Sequence, residues 1–181
     1  MKENRQKTLE LALRDPFLVS HDTHSLQKLA KIFSKTNLSL EKLSTDKRVA
    51  LCGGFMTKFL AEILPLFFLQ RGISPTLYES EYGSFQQDII NKESELSSFN
   101  PELVVFFPTH RDLRFIPPTG ASNSIVENCL GREIDFWMNL LKNIDAPTIL
   151  FTFDPPLTRR LGEVDGLKPG GFLNYIRSLN T

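Results

Sequence analysis

Cysteine is nearly absent from this sequence. Cys52 and Cys129 are the only two in 181 residues, far apart and without metal-type spacing. That excludes a disulfide framework and points to a reducing compartment, the cytoplasm by default. Net charge is missing too: 21 lysines and arginines balance 21 aspartates and glutamates. The chain therefore has no overall field to attract nucleic acid or anionic lipid, and neither is expected as a partner. The imbalance is local, with ten basic and six acidic side chains in residues 1–48, which reads as a solvated basic face. Long hydrophobic runs are also lacking. The longest, near Phe59 to Leu69, is interrupted by Glu62 and Pro65, and the amino-terminal stretch has no continuous apolar segment. Neither a signal peptide nor a membrane span is expected. No internal repeat, no G-x-G-x-x-G, no G-K-[ST] and no Asp-x-Asp occurs. Of the three histidines, His21 and His24 sit at i, i+3 with no further co-ligand, so they read as a surface helix start and not as a metal site.

What remains is an apolar-rich chain, 41% hydrophobic and 10% aromatic, able to bury a substantial core. Residues 1–47 read as a helical arm, with Leu9, Leu13 and Phe17, then Leu26, Leu29, Ile32 and Phe33, at helical spacing. "NLSLEKLSTDKR" is a polar lead-in. From residue 48 to 181, short apolar runs alternate with longer helical patterns, the mark of successive βα units and a doubly wound, mostly parallel sheet. The expected strands are Val49 to Cys52, Leu103 to Phe107 and Thr148 to Phe153, all read as buried, with Thr76 to Glu79 as a further strand candidate. Helices are expected over Phe55 to Gln70, kinked or restarted at Pro65 and capped by Gly72, in the polar stretch after Glu79, over Ile125 to Leu141, and at the carboxyl end.

In such a layer, ligands sit beyond the carboxyl ends of the strands. Three loops are expected there: "CGGFMT", "PTHRD" and "FDPP". Gly53 and Gly54 offer backbone N–H groups to an anion, or simply close packing of helix on strand. Thr109, His110, Arg111 and Asp112 form the densest polar cluster; His110 suits a base and Arg111 a clamp for phosphate or carboxylate. Asp154, held outside the helical region by Pro155, caps the next segment or faces a ligand. Thr57 carries a hydroxyl one turn into the first helix. Cys52, at a strand end without an adjacent histidine, reads as structural. No cofactor or metal is implied.

Three blocks in order, "VALCGGFMTKFLAEILPLFFLQRGISPTLYESEYGSFQQDII", "SELSSFNPELVVFFPTHRDL" and "TILFTFDPPLTRRLGEVDGLKPGGFLNYIRSLN", resemble the N-terminal region of FkbH-like proteins of the haloacid-dehalogenase (HAD) superfamily, subfamily IIIC. The resemblance implies an SGNH-hydrolase-like (or flavodoxin-like) fold. It also implies a role beside a HAD-like domain in forming glyceryl-carrier protein for polyketide assembly. The D-x-D-x-[TV] motif of that second domain has no counterpart here. Nor does the SGNH catalytic set transfer. The resemblance implies a serine near Gly54, an asparagine and aspartate where Arg111 and Asp112 stand, and a late D-x-x-H on a last strand that the sequence does not supply. The sheet is therefore expected to lack that strand and leave an edge uncovered. These features favour a non-catalytic module that binds an acyl carrier protein or a HAD-like domain in trans. The alternative is a divergent SGNH-like esterase or acyltransferase using Thr57 or Cys52 with His110.

Overall fold

The structure, a computed structural model, describes residues 2–15, 18–35 and 45–181. Phe17 and most of the "NLSLEKLSTDKR" lead-in lie outside them.

Four parallel strands, β1 (Thr45–Gly53), β2 (Ile73–Glu79), β3 (Leu103–Phe107) and β4 (Thr148–Leu150), form one sheet in the order β2-β1-β3-β4. The fold is thus the expected doubly wound α/β layer. Its strand order reverses between β1 and β3, where such sheets open a crevice. Helices α1 (Lys2–Arg14), α2 (Thr23–Ser34) and α3 (Lys58–Gln70) lie on one side, while α4 (Phe85–Ile90), α5 (Glu95–Phe99), α6 (Asn123–Leu141) and α7 (Phe172–Leu179) follow the later strands.

Register decides which side each strand residue serves. Ala50 pairs with Val104 and Cys52 with Phe106, and all four are buried in a cluster with Phe85, Val126, Trp137, Phe153 and Tyr175. Val49, Leu51 and Val105 face the other way, under Ala61, Leu64 and Phe68 of α3. The amino-terminal helices continue this second layer: Leu9, Leu26, Leu29 and Ala30 pack on Ile63 and Leu66 of α3. The "HDTH" stretch is a helix start, with Asp22 accepting from the backbone of His24 and Ser25 and His21 bonded to Asp15 at 2.7 Å.

Several boundaries differ from the sequence reading. Strand β1 begins four residues early, at polar Thr45, because it pairs with the whole of β2 and because Glu102 binds both the Lys47 ammonium and the Arg48 backbone N–H. Pro75 sits inside β2, at the sheet edge where a missing N–H is tolerated. Helix α3 starts at Lys58 and runs through Pro65; Gly72 follows it at φ 74°, the left-handed conformation that glycine adopts freely. The polar stretch after β2 folds as two short helices, with Ser94 capping the second. Strand β4 is the largest departure. It pairs only over Thr148–Leu150, and beyond it the Asn180 side-chain amide takes both the N–H and the C=O of Phe153. Nor is it buried: Ile149, Leu150 and Phe151 are 48%, 42% and 50% exposed. An uncharged β-rich run looks buried in sequence, but among the described residues no strand or helix covers this edge.

Candidate functional site

The three expected loops do meet at the carboxyl edge of the sheet, and each is held by hydrogen bonds that its own sequence supplies. After β1, the Gly53 N–H donates to Ser80 Oγ (3.4 Å) and the Gly54 N–H to the Phe107 carbonyl (3.1 Å). The anion-cradle reading of the glycines is thereby corrected, since both amides are taken by protein acceptors. Gly54 is needed for space instead. A Cβ there would stand 1.9 Å from Asp112 Oδ2.

The "PTHRD" loop wraps around that same carboxylate. Asp112 Oδ2 accepts from the Thr109 N–H (2.6 Å) and hydroxyl (2.9 Å), and Thr109 Oγ1 accepts from the Arg111 N–H (3.2 Å). Asp112 is therefore a loop brace. Asp154 joins the third loop to the second: its Oδ1 accepts from the His110 backbone N–H (2.7 Å) and lies 3.0 Å from His110 Nδ1. A carboxylate at Nδ1 places the ring proton there. Nε2 is left without a protein partner among the described residues. The His110 ring also stands edge-on to Phe172, centroids 6.0 Å apart.

Two candidate nucleophiles are out of play. Thr57 is buried, and its hydroxyl donates to Glu79 Oε2 at 3.1 Å. Cys52 is fully buried; desolvation pushes its thiol up to about 12, with Ser80 pulling the other way and Asp88 adding to the rise. A thiol that stays protonated at neutral pH is neither nucleophile nor ligand.

A cleft of about 490 Å³ opens between the loops. One wall is apolar, with Phe55, Met56, Phe107, Phe151 and Leu157; the other carries Thr109, His110, Arg111 and Asp154. Phe107 stacks on Phe151 (4.8 Å, 23°) and meets Phe55 edge-on (5.9 Å). A second depression of about 330 Å³ adjoins it, sharing Gly54, Tyr82 and Arg111. Arg114 in that depression is committed, bonded to Gln86 Oε1 and lying over the Phe136 ring at 4.3 Å. A further hollow of about 300 Å³ around Leu96, Val104 and Ile144 contains none of the expected site residues.

Of the residues singled out from sequence, Gly54, Thr109, His110, Arg111 and Asp154 line the cleft, Asp112 borders the second depression, and Gly53 and Thr57 line neither. Sequence reasoning missed the apolar wall and two buried carboxylates that hold the surroundings. Glu133 accepts from the N–H groups of Arg114 and Phe115 and from the Trp137 indole. Asp165 accepts from the N–H groups of Leu161, Phe172 and Leu173. Burial raises the Asp165 carboxyl, but those three donors and nearby Arg160 outweigh it and hold the group below its ordinary value. The Glu133–Trp137 spacing of i, i+4 on one helix was the available signal.

Among the described residues no cluster of His, Cys, Asp or Glu is arranged to hold a metal ion, and no helix is long and apolar enough to cross a membrane. The family described as FkbH, N-terminal domain, matches residues 25–180. Among solved structures, the N-terminal part of protein BF1531 from Bacteroides fragilis, which contains a phosphatase domain complexed with Mg, is similar in fold, with a TM-score of 0.66 at 18% identity. The match covers 88% of this chain and 40% of that one, so the chain spans well under half the length of that relative. No curated protein matches the chain.

Proposed function

The chain belongs to the FkbH N-terminal domain family, and on that premise we propose that it is a non-catalytic module that docks a partner. The partner is a HAD-like phosphatase domain or an acyl carrier protein, and the setting is glyceryl-carrier-protein formation of the polyketide type. One observation carries the reading. The rim of the cleft and the neighbouring edge strand both expose apolar side chains, Met56 76%, Phe151 50% and Leu157 100% at the rim and Ile149 48% in the strand. Exposed apolar surface rimmed by polar groups is how an interaction site differs from ordinary surface. The phosphatase domain of the BF1531 relative gives the first candidate occupant.

An esterase or acyltransferase using Thr57 or Cys52 with His110 finds no support in the geometry, since the hydroxyl is bonded to Glu79 and the thiol is sealed in the core. Calorimetric titration of the chain with a HAD-like phosphatase domain and with a phosphopantetheinylated carrier protein tests the docking reading. Binding to at least one, weakened by Ile149→Lys and without hydrolysis of short acyl esters, is the expected result. No binding to either would sink it.

A further inference from the structure

The loops around the cleft show an imbalance between acceptors and donors. The carboxylates at this edge are already engaged: Asp154 in the cleft by His110, Asp112 in the adjoining depression by Thr109, and Glu79, which lines neither, by Thr57. Arg114, the cation next in sequence at this edge, is tied to Gln86. The guanidinium of Arg111 alone among these groups has no hydrogen bond or ion pair with the described residues, and it lies where the two depressions join. Its backbone is nonetheless fixed, because the Thr109 hydroxyl holds the Arg111 N–H and Asp112 braces the turn. The cleft thus offers one positioned cation without a bonded partner, while the carboxylate that lines it is bonded to His110, so a ligand that pairs with Arg111 brings an anionic group.

Beside that cation stands the wall of three rings, Phe55, Phe107 and Phe151, extended by Met56 and Leu157. A cleft of about 490 Å³ with an apolar wall facing a polar one suits an amphipathic molecule. We infer that the cleft binds an amphipathic small molecule, an anionic head on Arg111 with an unbranched aliphatic chain laid along Phe55, Phe107 and Phe151. This does not rest on the docking of a protein partner, and the two stand or fall separately. Carboxylate and phosphate heads share the required chemistry.

The test uses the full chain, followed by ¹H–¹⁵N NMR, with octanoate, octyl phosphate, octylammonium and octanol as probes. Octanoate or octyl phosphate is expected to shift the resonances of Phe55, Arg111 and Phe151, and the tighter of the two identifies the head group. Arg111→Gln should weaken the anionic probe by about tenfold, Arg111→Lys by less, and neither should change octanol binding. The Arg111 side chain makes no bond that the fold needs, so both variants should keep the wild-type spectrum elsewhere. Octylammonium binding as tightly as octanoate, an unchanged anion affinity in Arg111→Gln, or shifts confined to the hollow around Leu96 and Ile144 would each overturn the inference.

Discussion

The interior and the edge of the sheet are built from the same kind of residue and use it differently. In β1, Val49, Ala50, Leu51 and Cys52 are at most 1% exposed, covered by α3 on one face and by the Phe85–Trp137–Tyr175 cluster on the other. In β4, Ile149 and Leu150 are as apolar, yet about half open. At β1 apolar side chains stabilise the fold by leaving water; at β4 the same chemistry stays available for a contact. A strand's composition states what it can bury, and its place in the sheet decides whether it does.

The sharpest way to break this contrast is to truncate one residue in each strand. Leu51→Ala is expected to cost about 2–5 kcal/mol by urea denaturation, since the side chain is wholly enclosed. Gly54→Ala comes next, at about 1–3 kcal/mol, because the new methyl drives Asp112 away from Thr109. Asp165→Asn should cost about 1–2 kcal/mol at neutral pH, as an amide cannot accept from three backbone donors at once.

The same aspartate sets a pH dependence. Its folded carboxyl lies below the ordinary value of 3.8, so its contribution is present above that value and is lost as pH falls through the folded one. Acid unfolding followed by Trp137 fluorescence should show the wild type losing its advantage over Asp165→Asn below about pH 4. Smallest of all, Ile149→Ala should change stability by only about 0.5 kcal/mol. A loss like that of Leu51→Ala would mean that β4 is structurally committed after all, and the contrast would fail.

Much of this was legible in the sequence. The run Leu103–Phe107, the glycine pair after β1 and the polar clusters "PTHRD" and "FDPP" gave the parallel sheet and the loops at its carboxyl edge. Asn180 was not legible, because a side-chain amide replacing a strand at Phe153 leaves no periodic trace. The exposure of β4 was hidden for a related reason: burial belongs to neighbours, and "TILFTF" reads the same with or without them. Within the site, residue types pointed to the right loops but not to roles. Asp112 and Arg111 are adjacent and oppositely charged, yet the carboxylate turns to Thr109 and the guanidinium bonds to none of the described residues, a division that residue type does not announce.

The fit of Asp112 against Gly54 also governs which mutational routes are open to the molecule. Installing a serine at position 54, the simplest step toward a hydrolase-like turn, collides with the carboxylate that shapes the neighbouring loop. That change would have to come after a change at Asp112, whose loss alone would loosen the segment carrying His110. A two-step path whose first step loosens the loop acts as a ratchet, and it holds the turn in its present, hydroxyl-free form.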